Sequence, residues 1–226
     1  MTSGGTTASR PGGRRRGGRP PRLLAEQLRE QILEVATPLF LTEGYGATSI
    51  EGVAKRARMS KRTVYSRFRD KAELFGAVVH RLVEQLRPPS ASTEQFFEGG
   101  SLETILLRLA QLILRAALSP SALALQRVIV AEATRFPELA QALNQEGTRR
   151  EAIQRIGGLL QREAASGRIA VSNPEFAAEQ FLHMLVAGPQ RRALGLGAPM
   201  TAAELETWGR DAVDLFLNGC RGTMGR

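Results

Sequence analysis

From Leu28 the apolar side chains recur at Leu28, Ile32, Val35, Ala36, Leu39 and Phe40, the rhythm of a helix with one buried stripe. Pro38 lies inside that stripe and, by removing the bond to the carbonyl of Glu34, is expected to kink the helix before Gly44 and Gly46 end it. The rhythm returns at Ile50, Val53, Ala54 and Ala57, then in a short segment where Val64 and Phe68 share a face. Further along, Leu102 to Leu118 reads as a helix, and Ser119-Pro120 opens another that runs to about Arg135. Pro137 interrupts the pattern, which resumes as far as Ser166-Gly167. Asn173-Pro174 caps the next helix, and Thr201 with Glu204 caps the last. No segment alternates in the manner of a strand, so the chain is predicted to be all-α.

Thr48 and Glu51 have the spacing of a capping box, which places a helix start at Ser49 with Lys55 and Arg56 outward. After a tight turn at Arg58, Met59 and Ser60, Ser60 caps a second short helix running from Lys61 to about Phe68. Two short helices joined this way make a helix-turn-helix. At about 100° per residue, Arg62, Ser66 and Arg69 point away from Val64 and Phe68, flanked by Thr63 and Tyr65. Such a face suits a major groove: a guanidinium takes two acceptors on guanine, a threonine methyl touches thymine and a phenol reaches phosphate. Asp70 and Glu73 form another capping box that puts Lys71 in the first turn of a fourth helix. A cation there opposes the helix dipole, a cost that a phosphate contact would offset.

The net charge of +9 is unevenly placed. Residues 1–22 carry six arginines and no acid, whereas residues 88–226 carry 14 charges of each sign. Between them, residues 52–71 hold eight basic side chains, including all three lysines, against Asp70 alone. This is the footprint of a polyanion ligand or a solvated cationic face, and charge alone does not separate nucleic acid from a membrane surface. The domains expected are a disordered basic arm (1–22), a DNA-binding domain (23–87), a larger helical domain (88–220) and a tail (221–226). A single cysteine, Cys220, excludes an internal disulfide, and no apolar leader follows Met1. The most apolar stretch is broken by Arg108, Gln111 and Arg115, so a cytoplasmic protein without a membrane span is expected.

The run Phe40-Leu41-Thr42-Glu43-Gly44-Tyr45-Gly46-Ala47-Thr48-Ser49-Ile50, followed by Ser60-Lys61-Arg62-Thr63-Val64-Tyr65-Ser66-Arg67-Phe68-Arg69-Asp70-Lys71-Ala72-Glu73-Leu74-Phe75, closely resembles the DNA-binding domain of TetR/AcrR-type bacterial regulators over residues 24–80. The resemblance implies that Lys61, Arg62 and Thr63 face bases while Thr48, Tyr65, Ser66, Arg67 and Lys71 contact phosphates. The helical wheel by itself puts Lys61 nearer the packed side. Arg58 departs from the family, which usually has glycine in that turn, and implies either backbone strain or a different turn. Residues 120–218 resemble AefR-like members at Val128-Ile129-Val130-Ala131-Glu132-Ala133-Thr134-Arg135-Phe136-Pro137 and Ala177-Ala178-Glu179-Gln180-Phe181. This second half would bind a small ligand and form a homodimer through its last two long helices.

Leu205, Trp208, Ala212 and Leu215 lie on one seam of the last helix, and with Phe181 they are the expected dimer contacts. Leu109, Ile113, Val128 and Phe181 are candidate pocket residues, with polar contacts from Arg127, Glu132 or His183. His80 and His183 have no metal-ligand spacing, Gly195-Leu196-Gly197 lacks the third glycine of a nucleotide cradle, and there is no nucleophile elbow. No cofactor, no metal and no enzymatic activity is expected. The reading is a sequence-specific repressor released from a near-palindromic operator by a small apolar effector. Its rival is a constitutive or nonspecific architectural DNA-binding protein.

Overall fold

The computed structural model describes residues 21–86, 99–139, 141 and 148–220. The helices are α1 (Pro21–Glu43), α2 (Ile50–Arg56), α3 (Lys61–Tyr65), α4 (Lys71–Leu86), α5 (Leu102–Ala117), α6 (Pro120–Glu132), α7 (Thr148–Ala165), α8 (Pro174–Ala193) and α9 (Ala202–Cys220). No strand occurs among the described residues. The basic arm up to residue 20, residues 87–98 and the tail lie outside them.

Local chemistry sets most of the helix ends. Ser60, Ser101, Ser119 and Asn173 each accept the backbone N–H three residues on, satisfying a donor that the helix leaves free. Thr201 and Glu204 cap each other reciprocally at the start of α9. Two expectations are corrected, the start of α1 and the end of α3. The α1 helix begins at Pro21, inside the segment read as an arm, and runs through Pro38 without interruption. Pro38 leaves the Glu34 carbonyl without its main-chain donor, while Thr37 and Thr42 donate their hydroxyls to the Leu33 and Pro38 carbonyls. The α3 helix ends at Tyr65, because Ser66 is its C-cap and the chain leaves as a turn.

Two apolar cores form. One joins α1, α2, Val64 of α3 and α4, with Phe40, Tyr45, Phe68 and Phe75 fully buried in it. Truncating any of these phenylalanines to alanine is expected to cost about 3–5 kcal/mol. The other joins α5, α7, α8 and α9 around Leu106, Ile156, Phe181, Leu185 and Val213. Although α6 follows α5 directly, it inserts Leu125 and Val128, with Leu139 beyond it, into the first core. The packing therefore makes α6 part of the body that carries the helix-turn-helix. No single helix among the described residues is long and apolar enough to cross a membrane, and α5 and α6, apolar together, are bent by 63°.

Candidate DNA-reading surface

The α2 helix starts one residue later than its spacing suggests. Ser49, not Thr48, is the N-cap of α2 and accepts the Gly52 N–H at 3.0 Å. Thr48 is 3% exposed, and its hydroxyl donates to the Gly44 carbonyl at 2.8 Å. Glu51 is therefore free of the capping role and pairs with Lys61 at 2.9 Å. The Lys61 ammonium, hydrogen-bonded to it, holds this carboxyl below its ordinary range. Lys61 is exposed, so the structure corrects the wheel that turned it toward the packed side.

At the end of α2, Arg58 adopts φ 54°, the one left-handed non-glycine residue among those described. The Arg58 N–H donates to the Lys55 carbonyl at 3.2 Å and the Met59 N–H to the Ala54 carbonyl at 2.9 Å. Paired bonds of this kind close a helix around a left-handed residue. The α7 and α8 helices end with the same bond pattern around Gly167 and Gly195. Arg58 thus occupies a position that glycine fills elsewhere in this chain, and of the two explanations for its departure backbone strain is the one observed.

On α3, Val64 is buried and Arg62, Tyr65 and Ser66 face outward, with Tyr65 48% exposed. Thr63 is half-buried, its hydroxyl 2.8 Å from that of Ser60, and Ser66 donates to the Thr63 carbonyl. Arg67 is half-buried, and its Nε has no hydrogen-bond partner. Asp70 accepts the Glu73 N–H at 2.8 Å, while Glu73 reaches back to the N–H of Arg69 rather than of Asp70. The Glu73 amide and the Arg69 guanidinium together hold the Asp70 carboxyl below its usual range.

Lys71 is not a free phosphate ligand in this state. Its ammonium donates to the Tyr45 carbonyl at 2.9 Å and lies 4.2 Å from the Tyr45 ring and 5.5 Å from that of Phe136. Burial lowers its pKa, opposed by the nearby Glu132 and Glu138 carboxylates. Tyr45 donates its hydroxyl to Glu138 at 3.0 Å, and burial followed by that contact raises its pKa strongly. Glu132, at the end of α6, accepts the backbone N–H groups of Tyr45 and Gly46. The sequence reading missed Glu132, Phe136 and Glu138 as partners of this turn. They lie 86 to 93 residues away along the chain, and no local periodicity connects positions so distant.

A model of the bacterial regulatory proteins of the tetR family matches residues 32–78, and that of the AefR-like transcriptional repressor C-terminal domain matches residues 104–219. The chain belongs to the TetR family. It is a DNA-binding transcriptional regulator of that family, with the helix-turn-helix and second helical half its members share. A solved TetR-family regulator from Mesorhizobium loti superposes with a TM-score of 0.73 and 31% identity, covering 86% of this chain and 97% of that one. The flavonoid-responsive regulator FrrA superposes at 0.69 with 28% identity, covering 88% and 99%. The transcriptional activator FasR of Mycolicibacterium smegmatis is 41% identical over 75 residues, a third of each chain.

In this TetR-family chain the candidate pocket residues are spread over both cores and the surface. Val128 is buried in the first core, Leu109 and Phe181 are buried in the second, and Ile113 packs at its edge. Arg127 is exposed and donates to the Ala193 carbonyl at 3.4 Å. His183 is also exposed, with Arg149 2.7 Å from its Nε2. An open groove of about 380 Å³ lies between α5 and α9. Leu107, Ala110, Leu114, Leu205 and Gly209 line it, together with Arg115 and Arg210. Among the expected dimer contacts, Phe181 is 0% exposed and Ala212 is buried in its own protomer, so neither offers surface to a partner. Trp208 packs on Gly188 and donates to the Leu185 carbonyl at 3.0 Å. Leu215 is 66% exposed.

Proposed function

We propose that this TetR-family regulator is a dimeric repressor that reads a near-palindromic operator with α3 and leaves it when a small, largely apolar effector binds the helical half. The observation that carries the reading is the outward face of α3. Arg62, Tyr65 and Ser66 stand exposed beside Lys61, on a helix anchored by Ser60 and Val64. A rigid helix with a guanidinium at its tip reads base edges, and the neighbouring cations supply the phosphate term. Leu215, exposed on α9, supports a partner surface there, and the groove between α5 and α9 supports an effector site of the right size and polarity. The effector acts only if it prefers the dimer whose α3 helices no longer match half-sites about 34–36 Å apart.

The experiment is selection of bound fragments from random duplex DNA, followed by titration of apolar compounds against the preformed complex. A palindrome with half-sites one helical turn apart, and release by at least one compound that also raises Tm, is the expected result. Equal affinity for random duplex would favour the nonspecific architectural reading. Compounds that raise Tm yet leave the complex intact would favour constitutive binding.

A further inference from the structure

The turn that leads from α1 into α2 is held by a carboxylate from far along the chain. Glu132 Oε1 accepts the Tyr45 N–H at 2.8 Å, and its Oε2 accepts the Gly46 N–H at 2.6 Å. The cradle depends on the two glycines. A Cβ at Gly44, where φ is +87°, would collide with Oε1, and one at Gly46 would lie 2.9 Å from Oε2 and 3.3 Å from the Phe136 ring. Around this contact Phe136 packs edge-on to Tyr45 at 5.1 Å, and Glu138 accepts the Tyr45 hydroxyl. Hydrogen bonds to a carboxylate are roughly twice as strong as neutral ones and fix direction, which apolar packing alone does not.

We propose that Glu132 is a positioning residue for DNA recognition, docking the turn at Tyr45 and Gly46 onto α6 and so setting the distance between the two reader helices of a dimer. This rests on the dimeric operator reading given above. The two captured amides lie just before Thr48 and Ser49, where α2 begins, so the carboxylate fixes the entry of the helix-turn-helix. The other end of α6 continues directly into α5, in the core that carries α8 and α9. A reader tied to that frame meets its half-site at a preset separation. An untied reader loses this preorganisation and accepts wrong separations.

The test uses the full chain carrying E132A and, separately, G46A, whose added methyl crowds the carboxylate from the other side. Each is assayed on the selected operator and on the same operator with two base pairs inserted between half-sites. Wild type is expected to lose ~100-fold or more in affinity on the insertion and each variant ~10-fold or less, with the preferred half-site sequence unchanged. Amide exchange at Tyr45 and Gly46 should quicken ~10-fold or more in E132A, with Tm still well above the assay temperature. If E132A keeps the wild-type insertion penalty, the proposal is overturned even where overall affinity falls. If wild type itself ignores spacing, the dimeric operator reading fails instead. The exchange rates then decide the contact: faster exchange in E132A upholds the tie, and unchanged exchange overturns it.

Discussion

The Lys71 ammonium sits 2.9 Å from the Tyr45 carbonyl oxygen and 4.2 Å from the centre of the same residue's ring. One cation thus holds both the main chain and the side chain of the turn that precedes the helix-turn-helix. K71A is expected to weaken binding to all DNA sequences alike, with the salt slope shallower by about one unit for each phosphate that the variant no longer neutralises. It should change folding stability by less than about 1 kcal/mol, because the burial cost of the ammonium disappears together with its charge-assisted bond and cation–ring attraction. Salt-dependent titration and urea unfolding check the two parts separately. A variant that binds with the wild-type salt slope would exclude the phosphate role.

Arg62 is exposed on α3 and stands at the surface expected to meet base edges. R62A should weaken operator binding by ~1–3 kcal/mol and relax the preference at one base pair per half-site, as removal of a bidentate guanine reader does. The check is repeated fragment selection with the variant. An unchanged preferred sequence would remove Arg62 from the reading role.

Arg58 carries the left-handed backbone that Gly167 and Gly195 carry at the ends of two other helices. R58G should therefore raise stability by up to ~1 kcal/mol, the strain relieved exceeding the added freedom of the unfolded chain. Urea unfolding measures it, and a loss of stability would mean that the Arg58 side chain contributes more than its backbone costs.

Trp208 closes on Gly188 so tightly that a Cβ there would lie 2.8 Å from the indole ring, whose Nε1 is anchored to the Leu185 carbonyl. G188A should destabilise by about 1–3 kcal/mol despite its better helix propensity, since the indole cannot retreat without breaking that bond. In the W208A background the same change should be neutral or stabilising. A double-mutant cycle with no coupling would show that the ring moves aside freely.

The raised pKa of Tyr45 makes stability fall with alkali. The phenol stays protonated in the fold while it ionises in the unfolded chain above about pH 10, so stability is intact below that pH and declines above it. Lys71 acts in the opposite sense: its pKa is lowered by burial, so its burial cost fades as pH rises toward the ordinary lysine value of about 10.4. Y45F should flatten the decline between about pH 10 and 11 in urea titrations; an unchanged slope would place the effect on another group.

The helices, most of their caps and the reader face were legible in the sequence, because each depends on residues three or four apart. Ser60 and Val64 orient α3, Thr201 and Glu204 start α9, and the cluster from Lys55 to Lys71 marks the polyanion side, whatever lies elsewhere in the chain. The choice between Thr48 and Ser49 as a cap was not legible, because both hydroxyls have acceptable spacing and the Gly44 carbonyl claims one of them. Nor was the role of Glu132. It sits on an apolar helix like any polar residue facing a pocket, and only folding brings it to amides 86 and 87 residues earlier. Tertiary structure likewise decided that α6 joins the first core and that Phe181 and Ala212 are spent inside the protomer. Periodicity tells which face of a helix is buried; which of two bodies buries it depends on packing between segments whose order along the chain carries no distance information.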